Sequence, residues 1–125
     1  EVPVIEKYNE GRDETFKIRL VKDGNRLKLC YKLKPGHNVY ELETILSDQY
    51  PASPPETRVL TRLKPCPHLL ERQTLCLWKQ SSNRESNRWD AAKFTCVFAV
   101  QAAWRWLACY EVWMVTGEWP LPEAR

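Results

Sequence analysis

The chain has 125 residues, a net charge of +3, and 43% hydrophobic against 28% charged residues. This balance describes one globular domain large enough to bury its own core and excludes a disordered polymer. The weak, scattered charge argues against a nucleic-acid partner, and no apolar run is longer than five residues, the length of Cys96 to Val100, far short of the ~20 that a membrane span needs.

No signal peptide is visible. The five cysteines (30, 66, 76, 96 and 109) are odd in number and form no CxxC pair. A secreted disulfide framework would be even and denser, so free thiols in a reducing cytoplasm are expected.

In chain order, residues 1–15 are polar and weakly patterned, consistent with a short helix at most. Phe16, Ile18 and Leu20 then alternate with Lys17 and Arg19, the signature of a half-buried strand. Asp23-Gly24 signals a hairpin through a type I′ turn, which needs positive φ. The return strand sets Leu27, Leu29, Tyr31 and Leu33 against Arg26, Lys28, Cys30 and Lys32. After a Pro35-Gly36 turn, a third strand over 39–46 sets Tyr40, Leu42 and Leu46 against Glu41 and Glu43. Prolines 51, 54 and 55 interrupt regular structure, and alternation resumes over 58–63 as a fourth strand.

Residues 64–89 show no clear period and end in the polar run QSSNRESNR. Irregular stretches of this length inside a small domain usually carry function. A helix is expected over 90–116, capped by Asp90 and closed by Gly117, with Pro120 beyond. Lys93, Gln101, Arg105, Glu111 and Thr116 share its polar arc with Asp90, and the rest of its surface is mostly apolar. Such a helix packs on the sheet and is covered on a second flank as well, with its tryptophans read as core. Cys96 and Cys109 read as packing residues. The domain layout is therefore an N-terminal segment (1–15), a sheet (16–63), a candidate active-site segment (64–89), a helix (90–116) and a tail (117–125).

The middle segment holds the candidate chemistry. Cys76 lies in the tetrad Leu75-Cys76-Leu77-Trp78, eight residues after His68. A zinc site built on Cys66, His68 and Cys76 lacks an obvious fourth ligand and matches no common zinc spacing, so no metal is expected.

The order of strands, proline corner, His and Cys, tryptophan and long helix resembles the ubiquitin-conjugating enzyme family. The family corner Tyr-Pro-x-x-Pro-Pro is matched at Tyr50, Pro51, Pro54 and Pro55. Pro67-His68 stands near the family tripeptide His-Pro-Asn. Cys76-Leu77 falls at the nucleophile position, and Trp89 at the tryptophan that opens the next helix. The resemblance covers about residues 16–116 and implies an α+β, UBC-like fold. It departs at His68, which is followed by Leu69 and Leu70 rather than asparagine, and the His-to-Cys interval is two residues short. The first family helix is absent or reduced to 1–15. The compact size, the tryptophan-rich helix and the ending Gly117-Glu118-Trp119-Pro120 resemble the stand-alone conjugating enzymes of bacterial CBASS antiphage operons.

That resemblance implies acyl transfer through a thioester on Cys76, with no cofactor. The implied partner is the C-terminus of a ubiquitin-like carrier or of a cGAS- or DncV-like nucleotidyltransferase, with an activating enzyme as a further partner. A thiolate is both a strong nucleophile and a good leaving group near neutral pH. His68 is the candidate helper, as a cation beside the thiol or as a base for the amine. The alternative is a histidine that only fixes its loop. Candidate oxyanion donors are the backbone N–H groups around Cys76, Gln73 and Thr74. Arg72 and Lys79 either favour the thiolate or are solvated loop charges. Asn83 and Asn87 are candidates for the missing asparagine. The rival readings are a non-catalytic carrier-binding module of the same fold, which would typically lack the cysteine, and an unrelated α+β interaction protein with Cys76 in its core.

Overall fold

The computed structural model describes residues 2–77 and 95–120. Helix α1 (Val2–Asn9) leads into a short 3-10 turn (Glu14–Phe16) and then four strands, β1 (Arg19–Asp23), β2 (Arg26–Leu33), β3 (Tyr40–Leu46) and β4 (Glu56–Val59). The strands form one antiparallel sheet in the order β1-β2-β3-β4, the meander expected from the alternation. Helix α2 (Cys96–Thr116) completes an α+β architecture. Among the described residues no helix is long and apolar enough to cross a membrane.

β2 and β3 follow their sequence pattern except at Leu27, expected on the inward face but 43% exposed near the hairpin end of β2. Leu29, Tyr31, Leu33, Tyr40, Leu42 and Leu46 are buried, whereas Cys30 and the acidic residues of β3 face away from the core. Val97, Val100, Ala103, Trp106, Leu107 and Tyr110 of α2 pack onto this inner face. Inside the same layer, Tyr31 Oη and Thr44 Oγ1 are 2.6 Å apart, and Thr44 Oγ1 lies 2.9 Å from Thr57 Oγ1. Burial without partners would cost each hydroxyl roughly 1–3 kcal/mol, so the three satisfy one another.

The flanking strands differ from expectation. Glu14–Phe16 turns because the Asp13 carboxylate accepts from the Thr15 N–H at 2.9 Å. β1 therefore starts only at Arg19 and contributes no buried residue; Leu20 is 41% exposed. Ile18, just before it, is the buried one, and its backbone is clasped both ways by the Asn9 side chain of α1. In the hairpin, Asp23 pairs with Arg26, which makes Gly24-Asn25 the loop. Of these two only Gly24 has positive φ (65°), the pattern of a type II′ turn rather than type I′. β4 begins right after Pro55, two residues before the expected start, and ends at Val59. Its inward residue Thr57 is polar, which hides the strand from a hydropathy pattern.

The expected helix start at Asp90 lies outside the described residues. As described, α2 begins at Cys96 with Thr95 extended as its N-cap, and it ends on Gly117 in the left-handed region (φ 80°), whose N–H donates to the Trp113 carbonyl at 2.8 Å. The tryptophans of α2 do not share one environment. Trp106 is 5% exposed and belongs to the core, whereas Trp104 is 46% exposed, and Val112 and Val115 are exposed beside it. The expectation of a core role for every helix tryptophan is thus corrected at Trp104. Glu111, expected on the polar arc, accepts hydrogen bonds from Tyr40 Oη (2.7 Å) and Asn38 Nδ2 (3.2 Å), which tie the helix to the entry of β3.

Candidate active site

The segment after β4 is more ordered than its sequence suggests. Residues 68–76 form a small hairpin. Leu69 pairs with Leu75, the Leu70 N–H donates to Thr74 O (2.8 Å), and the Cys76 N–H donates to His68 O (3.0 Å). Its second arm adds to the open edge of β4: Thr74 pairs with Arg58, and the Leu75 N–H donates to Thr57 O at 2.9 Å. Cys76 is thus carried on a short extra strand laid on the sheet.

The hairpin tip, Glu71–Gln73, places Arg72 and Gln73 at φ 58° and 57°, where an L-residue is strained by roughly 1–2 kcal/mol. Gln73 offsets that strain through its side chain. Its Nε2 donates to Val59 O and Thr61 O, both at 2.7 Å, and its Oε1 accepts from the Leu63 N–H at 2.8 Å. All three bonds fasten the tip to the chain leaving β4. The amide expected to be an oxyanion donor is therefore a structural clasp.

α2 holds the start of the same segment. Tyr110 Oη accepts from the Lys64 N–H at 2.8 Å, and Trp106 Nε1–H donates to His68 O at 3.2 Å. The His68 carbonyl therefore takes two donors, one from Cys76 and one from the helix. His68 itself is left-handed (φ 62°). Its imidazole lies against Trp119, with ring centroids 5.1 Å apart, and its buried Nε2 has no hydrogen-bond partner. His68 and Cys76 are brought together through their backbones. Among the described residues no hydrogen bond joins the imidazole to the thiol.

The five thiols are not equivalent. Cys96 and Cys109 are buried, and Cys66 packs against the core from its edge. Cys76 is half-buried and stands outside the core cluster, although its neighbour Leu75 is inside it. Strand alternation explains this: Leu75 points inward, so Thr74 and Cys76 turn the other way. Of the candidate oxyanion donors, the Cys76 N–H and the Gln73 amide are committed. The Leu77 N–H and the Thr74 hydroxyl make no hydrogen bond among the described residues and remain available. Trp78, Lys79, Asn83, Asn87 and Trp89 lie outside the described residues.

Burial pushes the Cys76 thiol above the ordinary range, and no cation among the described residues opposes it. Arg72 is exposed at the hairpin tip, the solvated alternative of the two considered for it. The folded protein thus holds the thiol proton to higher pH than an unfolded chain does. Alkylation of Cys76 by iodoacetamide is expected to be slower at pH 7 than that of a free cysteine. It should rise with pH to a midpoint above the ordinary value of about 8.5. Peptide mass spectrometry across a pH series measures it; a midpoint below about 8 would show that a cation does act on the sulfur. Among the described residues no three His, Cys, Asp or Glu side chains gather as a metal site.

No curated protein matches the chain. The family model for the Type II CBASS E2 protein matches residues 9–125, a span that takes in the sheet, the Cys76 hairpin and α2, and the chain belongs to that family.

Proposed function

We propose that this protein is a ubiquitin-like conjugating enzyme of bacterial antiviral CBASS operons, built on a UBC-like fold, with Cys76 as its nucleophile. The observation that carries the reading is the setting of Cys76. It is the thiol that the hairpin presents outside the core, one residue after a buried leucine. The family supports a role in CBASS defence with other components of the operon.

The chemistry runs in two acyl transfers. An activated C-terminus, as an acyl-adenylate or as the thioester of an activating enzyme, is attacked by the Cys76 sulfur. The C–S bond forms, the thiol proton leaves, and AMP or the first thiol departs. An amine then attacks the same carbonyl carbon, the C–S bond breaks, an amide forms and the thiol returns. Each step passes through an oxyanion, for which the Leu77 N–H and the Thr74 hydroxyl are the available donors among the described residues. His68 contributes by fixing the loop through its carbonyl. The carrier is a ubiquitin-like protein or a cGAS-like nucleotidyltransferase whose C-terminus is so activated.

The test is adduct formation. The purified protein is incubated with ATP, a candidate carrier or nucleotidyltransferase and its activating enzyme, and run on gels with and without reductant. The expected result is a reductant-sensitive adduct that disappears in Cys76→Ala and survives in Cys30→Ala and Cys66→Ala. An adduct that persists in Cys76→Ala, or none with any operon-encoded carrier, would overturn the reading and favour a binding module of the same fold.

A further inference from the structure

The Cys76 hairpin is gripped by aromatic residues spaced along one side of α2. Trp106 and Tyr110, one helical turn apart, are stacked with centroids 5.9 Å apart and planes at 13°. Each sends its polar end to the segment before Cys76: the Tyr110 hydroxyl accepts from the backbone at Lys64, and the Trp106 indole donates to the backbone at His68. A third ring closes the arrangement. Gly117 turns the chain back at the end of α2, and Trp119 packs edge-on against Trp106 (5.1 Å, 62°) and against the His68 imidazole.

These contacts converge on one peptide group. The His68 carbonyl must lie where the Cys76 N–H can reach it, and for that His68 has left-handed backbone. Histidine visits that region more readily than bulky residues do, but it still needs surrounding structure to stay there. Trp106 is buried, and its N–H would be a costly orphan without an acceptor. One hydrogen bond thus satisfies the indole and holds the strained peptide in place.

We propose that Trp106 is a positioning residue for Cys76. It fixes the His68 carbonyl, which in turn fixes the Cys76 amide and the direction of the thiol, and Trp119 braces the same peptide from the imidazole side. The catalytic consequence rests on the function proposed above; the structural coupling does not.

The experiment compares the wild-type protein with Trp106→Phe, which keeps a stacking ring and loses the N–H, and with Trp119→Leu. Amide hydrogen exchange is followed at Cys76, whose N–H donates to His68 O, and at Leu75, whose N–H donates to Thr57 O. Trp106→Phe is expected to speed exchange at Cys76 about fivefold, the worth of one lost hydrogen bond, and to leave Leu75 unchanged. Alkylation of Cys76 should rise by a similar factor as the thiol gains water, and that of Cys66 should stay constant. Trp119→Leu should move Cys76 the same way by less. In the transfer assay, kcat falls and KM for the carrier is unchanged. Equal changes at Cys76 and Leu75, or none at either, would overturn the proposal. Exchange and alkylation need no carrier, so a failure of the conjugating reading leaves them readable.

Discussion

Replacing Gln73 with alanine is expected to destabilise the protein by about 2–4 kcal/mol. One side chain here satisfies three backbone groups, the carbonyls of Val59 and Thr61 and the N–H of Leu63. Each group left without a partner costs roughly 1–3 kcal/mol when buried, and water reaching this half-buried site recovers part of the sum. The left-handed backbone at position 73 adds a second, separable effect. Alanine keeps that strain; glycine removes it. Gln73→Gly should therefore be about 1 kcal/mol less destabilised than Gln73→Ala, the reverse of the usual order of these residues in regular structure. Gln73→Glu keeps an acceptor for Leu63 but turns an oxygen on two carbonyls, so it should not rescue. Urea midpoints at constant m-value measure all three. If alanine shifts stability by less than about 0.5 kcal/mol, the range of an ordinary surface change, the clasp does not hold the hairpin.

What the sequence revealed depended on whether one residue's environment decided the outcome. β2 and β3 were legible because every inward position is apolar or aromatic except Thr44. The start of β4 was not, since its inward Thr57 finds its partner in Thr44 on the next strand. β1 misled for the opposite reason: Leu20 fits the alternation but lies on an edge strand with no buried residue. The hairpin around Cys76 carries no turn signal at all. Its tip uses Arg72 and Gln73 where glycine or asparagine would announce positive φ, and the conformation is secured by bonds to residues 59–63. Trp104 and Trp106 are alike in composition and two positions apart, yet one is exposed and the other donates to His68. Cys76 itself was singled out by its resemblance to a family position, whereas its placement outside the core is a matter of strand alternation beside the inward Leu75. The indole bond to His68 and the Gln73 clasp follow only from the fold, which alone decides what a donor can reach.

Changing Cys76 to serine is expected to lower transfer by roughly three orders of magnitude or more, with the fold intact. The two side chains are similar in size and the site is half-buried, so the stability change should stay within about 1 kcal/mol. The chemical change is large because a hydroxyl ionises far less readily than a thiol, and serine nucleophiles work only with a base hydrogen-bonded to them. Here the imidazole of His68 rests on Trp119 and makes no hydrogen bond to position 76. Any adduct that the serine protein does form is an oxygen ester. It should survive thiol reductants and be cleaved by mild base, whereas the wild-type adduct should disappear in reductant. Rate and adduct chemistry together separate three cases. A wild-type rate in Cys76→Ser would remove Cys76 from the mechanism. A loss of less than about tenfold would mean that a base reaches position 76 in the working complex, which would return His68 to a direct role. A loss of the expected size, with a reductant-stable trace of ester, makes sulfur the source of the reactivity and leaves His68 the part the backbone gives it, holding the amide of the residue that reacts.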